Sequence, residues 1–225
     1  MTPTTFRSVA RRARALPLLA LLIAGSGLLS GCAPLLLGGA AVGGALMATD
    51  RRTSGVQVED QAIELKAVNR LNAALGDRAH VSVVSYNLLV LATGEVPTEA
   101  DRATVERVLR GIENVRNVIN ETAVMGASSL TSRTNDAVLT SKVKATLVDA
   151  KDVQANAFKV TTERGTVYLM GRVTEREASR AVELTRSVGG VQRVVRVVEL
   201  LTEAELANLA PPNPRPAPAT GTAPR

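Results

Sequence analysis

The chain has 225 residues, and its 27 Lys and Arg against 21 Asp and Glu give a formal charge of +6. One Cys and one His exclude an internal disulfide, a thiolate cage and any multi-histidine metal centre, and they leave little room for a paired nucleophile and base. Aromatic residues make up 2% with no Trp, which argues against a base-stacking nucleic-acid surface, while 45% hydrophobic content is that of a folded protein.

Residues 1–14 carry Arg7, Arg11, Arg12 and Arg14 and no acid. An apolar run from Ala15 to Leu29 follows, shorter than the ~20 residues of a membrane-spanning helix, and the two together read as a secretory signal. The run ends in Leu29-Ser30-Gly31-Cys32, and the chain's one Cys falls there. This resembles the bacterial lipoprotein signal and implies that residues 1–31 are removed and that Cys32 is acylated. Acyl chains contribute about 0.8 kcal/mol per buried CH₂, so two or more hold a protein stably on a bilayer. Ala33 follows the Cys in place of the Asp that retains such lipoproteins at the inner membrane. The resemblance therefore implies the inner leaflet of the outer membrane, with the protein facing the periplasm. Without its four leader arginines the chain has 23 basic and 21 acidic residues, a net charge of +2.

Residues 32–59 begin with this Cys and continue through a Gly/Ala-rich stretch, read as a flexible tether. Two segments of the same layout come next, at 60–123 and 135–201, joined by a linker at 124–134. Each predicts helix, strand, strand, helix, strand. The amphipathic stretch Ile63–Leu71 is repeated 76 residues later at Leu139–Leu147, so Lys66 matches Lys142 and Leu71 matches Leu147. Strands follow at Val81–Ser85 and Phe158–Thr162, then turns at Tyr86-Asn87 and Glu163-Arg164-Gly165, then strands at Leu88–Ala92 and Val167–Met170. Second helices are read at Thr98–Arg110 and Glu175–Ser187, and last strands at Val115–Ile119 and Val191–Val198. Gly94 and Gly171 close the middle strands and are read as structural, where a Cβ is forbidden by positive φ or close packing. His80 and Tyr86 are read as a surface and a turn residue, and Phe158 and Tyr168 as core or sheet-face residues. The expected fold is α+β: two tandem domains, each a three-stranded mixed sheet packed on two helices. Residues 202–225 hold most of the ten prolines and are read as a disordered Pro/Ala-rich tail.

In the second copy, Leu169-Met170-Gly171-Arg172-Val173 precedes a helix and then Val188-Gly189-Gly190-Val191; in the first, Leu91-Ala92-Thr93-Gly94-Glu95-Val96 stands without the turn glycines. These runs resemble the BON domain, a bacterial module of periplasmic osmotic-stress and outer-membrane proteins. The lipoprotein signal, tether and two such copies together resemble dual-BON outer-membrane lipoproteins. That resemblance implies binding of anionic phospholipid and a role in envelope integrity, with no catalysis, no cofactor, no metal and no nucleic-acid partner. Outer-membrane assembly or division-site proteins are the possible protein partners. The alternative is an adaptor lipoprotein that recognises an assembly complex or a peptidoglycan-associated partner without lipid selectivity.

Charge divides unevenly, with −2 over residues 60–121 and +3 over residues 134–200, which points an anionic surface to the second copy. Its first helix is the candidate site. Asn135 and Asp136 are placed at its start as N-cap residues whose neighbouring amides meet a phosphate. Leu139, Val143 and Leu147 face the core, while Val138, Lys142 and Ala145 form a neighbouring stripe flanked by Ser141 and Lys144. In the family a Trp can occupy the position of Val138; Val offers less apolar area and no interfacial anchor.

Overall fold

The structure, a computed structural model, describes residues 50–209. Cys32, the signal segment, most of the tether and the proline-rich end lie outside them. The first domain runs α1 (Ser54–Leu75), a short 3-10 turn, β1 (His80–Tyr86), β2 (Leu89–Val96), α2 (Glu99–Arg110), β3 (Asn117–Asn120) and β4 (Ala123–Val124). The second runs α3 (Leu130–Asp149), a 3-10 turn, β5 (Phe158–Glu163), β6 (Thr166–Val173), α4 (Glu175–Arg186) and β7 (Arg193–Leu200). A last helix, α5 (Glu203–Leu209), occupies the beginning of the segment expected as tail.

Each sheet is mixed. β1 is antiparallel to β2 and β5 to β6, while the returning strand, β3 with its continuation β4, or β7, lies parallel to the middle one. The helices form because their apolar residues recur every three or four positions. Ile63, Ala67, Leu71 and Leu75 of α1 and Leu139, Val143 and Leu147 of α3 are the buried rows. Hydroxyl caps start each helix. Thr53 accepts from Val56 N, Ser129 from Ser132 N, Thr98 from Asp101 N, and Thr174 forms a capping box with Glu177. Both long helices thus begin earlier than expected, α1 inside the supposed tether and α3 inside the supposed linker.

One device is used twice. Asp60 of α1 is buried and accepts from Asn87 N and Leu88 N, both at 2.8 Å, and from Ser85 Oγ at 2.6 Å. Asp136 of α3, 76 residues later, accepts from Arg164 N at 2.7 Å and Gly165 N at 2.9 Å. These amides belong to two-residue hairpin turns whose central residues all have positive φ, the pattern of a type I′ turn. Each carboxylate therefore fixes its helix against its hairpin and satisfies amides that the turn leaves free.

Alternate residues of each middle strand point to opposite faces. Val90, Ala92 and Val96 join α1 and α2 in one core, and Val167, Leu169 and Val173 join α3 and α4 in a second. The other faces are also apolar. Tyr86, Leu91, Tyr168, Met170 and Val197 form a third core drawn from both sheets, so the sheets pack against each other with their helices outermost. Side chains of this size contribute about 1.5–3 kcal/mol each when fully buried. Tyr86, expected in the turn, is thus the last residue of β1 and 4% exposed; its hydroxyl donates to Ala157 O at 3.3 Å, and burial pushes its pKa up to about 12.

Polar links surround this shared core. Lys159 pairs with Glu64 at 2.6 Å, Arg193 with Glu121 at 3.3 Å, and Glu199 takes Arg116 and Arg172, each at 3.0 Å. Two tether arginines clasp both domains. Arg51 reaches Glu177 at 2.7 Å and Arg172 O at 2.9 Å, and Arg52 reaches Asp60 at 2.8 Å and lies over the Tyr86 ring. The Arg51 guanidinium, with help from the Thr174 amide, holds the Glu177 carboxyl below its ordinary range despite burial.

Gly94 and Gly171 lie within β2 and β6 at the same place in each pair. A Cβ on Gly94 would stand 2.1 Å from His80 O, and Gly94 also has φ +106°; a Cβ on Gly171 would stand 2.5 Å from Ala157 O. Close backbone approach therefore requires glycine at both, and positive φ adds to it only at Gly94.

Candidate functional site

A cleft of about 540 Å³ opens beside α3. Its walls are Ser132, Asn135, Asp136, Val138, Leu139 and Lys142 of the helix, Arg164 and Gly165 of the hairpin turn, and Gly189, Gly190 and Gln192 of the connection into β7. Val138 is 50% exposed, and Asn135 and Lys142 are exposed. Among the described residues Lys142 and Lys144 make no ion pair. Ser141, Lys144 and Ala145 are exposed on the same side of the helix and extend the polar and basic surface beyond the cleft, with Ser141 Oγ donating to Ala137 O at 3.0 Å.

Asp136 departs from the expected arrangement. Ser129 caps α3, so Asn135 and Asp136 stand in the second turn, where backbone amides are already used inside the helix. The buried Asp136 carboxylate is engaged by the hairpin amides and offers nothing to an anion. Cationic character at the cleft comes instead from Lys142 and Arg164, the latter not anticipated.

The first domain shows what the second lacks. Counting back 76 residues, Asn135 corresponds to Glu59, Lys142 to Lys66, Gly189 to Glu113 and Gly190 to Asn114. There Asn114 Nδ2 donates to Glu59 at 3.0 Å, and Lys66 lies 3.3 Å from Glu113 and 4.0 Å from Glu59. The equivalent lysine is thus neutralised by two carboxylates at the position that is open in the second domain. The cleft residues 164, 165, 189, 190 and 192 were not read from sequence as binding residues, yet the loss of Glu59 and Glu113 in the second copy is the signal that marks them.

The BON domain family matches residues 59–126 and 135–202, both copies over their helices and sheets. The chain belongs to the BON-domain family. It is 35% identical over 185 residues to the outer membrane lipoprotein DolP of Haemophilus influenzae, an alignment spanning 81% of this chain and 95% of that one. It is 32% identical over 151 residues to a 21 kDa hemolysin of Actinobacillus pleuropneumoniae, covering 66% and 78% of the two chains. The osmotically-inducible protein Y of Escherichia coli is 30% identical over 145 residues, covering 61% and 70%. The open cleft therefore belongs to the second of two BON domains, and the closed one to the first. No helix among the described residues is long and apolar enough to cross a membrane.

Proposed function

We propose that this is a non-enzymatic lipoprotein, anchored through acylated Cys32 in the outer membrane and facing the periplasm, whose second BON domain binds anionic phospholipid and so supports envelope integrity. What carries the reading is the unpaired Lys142. Val138 stands half exposed beside it, and Arg164, ion-paired with Glu95 at 3.8 Å, lines the facing wall, where the first domain places Glu59 and Glu113 around Lys66. An apolar residue flanked by lysines suits insertion at the headgroup boundary, where each nearby cation contributes about 1 kcal/mol against an anionic surface. The glycines at 189 and 190 and the hairpin turn leave room for a phosphate beside the helix. The relationship to an outer membrane lipoprotein supports the location.

The test is co-sedimentation of the unacylated chain with vesicles of phosphatidylglycerol or of phosphatidylcholine alone. Binding is expected with the first and not the second. Charge reversal in Lys142→Glu/Lys144→Glu is expected to weaken it by at least ~30-fold, about 1 kcal/mol for each positive charge lost before the added repulsion of the new carboxylates. Equal binding by this variant, with its fold retained, would remove the assignment. A second reading, adaptor binding through the first domain, is favoured by one observation: Val58, Leu65 and Val68 of α1 are exposed.

A further inference from the structure

Beneath the cleft, at the edge of the shared core, three side chains from both domains converge. His80 opens β1 and Glu95 stands directly opposite it in β2, a cross-strand pair whose side chains meet on one sheet face. Glu163, the last residue of β5, approaches from the second domain. A ring nitrogen of His80 and one carboxylate oxygen each from Glu95 and Glu163 lie within 4.8 Å of one another.

Three acid and imidazole groups in proximity do not make a site by themselves. Here a further observation points to a ligand. Glu95 is 1% exposed, and its Oε1 is buried with no hydrogen-bond partner. Its Oε2 takes the Ser128 amide at 3.2 Å and lies 3.3 Å from His80 Nδ1. The cation nearest Oε1 is Arg164, whose Nε stands 3.8 Å away, beyond hydrogen-bond length. Arg164 supplies charge but no hydrogen bond, and a buried carboxylate oxygen without one is costly.

We propose that His80, Glu95 and Glu163 bind a divalent transition-metal ion of the Zn²⁺ type, joining the two BON domains. One imidazole and two carboxylates are a donor set that such an ion accepts, with water in the fourth position. Ligand atoms 2.0–2.2 Å from a tetrahedral ion lie roughly 3.4 Å apart, so a closure of about an ångström completes the geometry. The side chain of His80 is 31% exposed, which gives the ion an entry path. The ion neutralises two carboxylates that otherwise face each other and fixes the β1–β2 pair against the β5–β6 hairpin.

The test uses the full chain with Cys32→Ser, so that no thiol competes for metal. Because His80 is the chain's one His, any change in an imidazole NMR resonance reports this position. Zn²⁺ is expected to bind at one equivalent, shift that resonance and raise the unfolding midpoint by about 5 °C at saturating metal. His80→Asn and Glu163→Gln, folded by circular dichroism, are each expected to bind at least ~10-fold more weakly. Glu163→Gln removes a repelling charge, so it is expected to fold without metal. Absence of binding at 100-fold excess Zn²⁺, an unmoved imidazole, or wild-type affinity in either variant would each overturn the site.

Discussion

The two BON domains share one plan and differ in how it is finished. Both bury an aspartate under a hairpin turn and both bring a backbone carbonyl against a glycine. Around the first helix they diverge. The first domain closes its groove with Glu59, Glu113 and Asn114 about Lys66, whereas the second leaves Lys142 unpaired beside Gly189 and Gly190. A duplicated fold has kept its supports in both copies and opened its surface in one. Shared architecture and surface charge are therefore separable here, and substitutions can address each alone.

The largest effect is expected at the matched glycines. Gly94→Ala meets both a Cβ contact of 2.1 Å with His80 O and a φ of +106°, while Gly171→Ala meets a 2.5 Å contact with Ala157 O at ordinary φ. Strain and overpacking each cost of order 1–3 kcal/mol, so about 4 kcal/mol is expected for the first and about 2 kcal/mol for the second, read by urea unfolding. Equal costs would show that the two hairpins are not distinguished by backbone conformation.

The tether arginines separate the domains in a second way, since Arg51 serves the second and Arg52 the first. Arg51→Ala leaves the Glu177 carboxylate with the Thr174 amide but no cation and is expected to cost ~2 kcal/mol near neutral pH. Arg51 holds the folded Glu177 pKa below 4.5. The contribution is thus complete above that value and is lost as pH falls through the folded pKa. Wild type and variant are expected to converge in unfolding free energy as pH is lowered below about 4.5, and a constant gap would contradict the assignment.

Much of this was legible in the residues. The 76-residue repeat gave both domains, the Leu139, Val143 and Leu147 face, and the Arg164-Gly165 turn. The start of α3 was not, because Thr131–Asn135 is polar and carries no apolar period after its Ser129 cap. Asp136 read as a helix start because an aspartate followed by apolar residues usually is one. Its real partners, the amides of residues 164 and 165, are 28 and 29 positions away and only the folded hairpin brings them in. Likewise Leu91, Tyr168 and Met170 gave β2 and β6 apolar residues on both faces, which marks a sheet covered twice, but not that the second cover is the other sheet.

The groove itself can be exchanged between domains. No atom lies within 4 Å of where a Cβ on Gly189 would stand, so that position accepts a side chain. Asn135→Glu/Gly189→Glu transfers the first domain's carboxylates to the second and is expected to neutralise Lys142, weakening binding to phosphatidylglycerol vesicles about tenfold. Undiminished binding would show that closure of the groove is irrelevant.

The smallest effect asks which domain meets the bilayer. Val138 is half exposed but small and carries no polar handle for the headgroup boundary. Trp places a large apolar ring there with an N–H for interfacial water, so Val138→Trp is expected to tighten vesicle binding about threefold. Ala62, the matching position in α1, is the control, because the same ring lies there beside Lys66, Glu59 and Glu113. If the second domain alone docks, Ala62→Trp leaves affinity unchanged. An equal gain from both would mean that tryptophan anchors the protein wherever it is exposed, and that the acidic closure of the first domain does not keep it off the membrane.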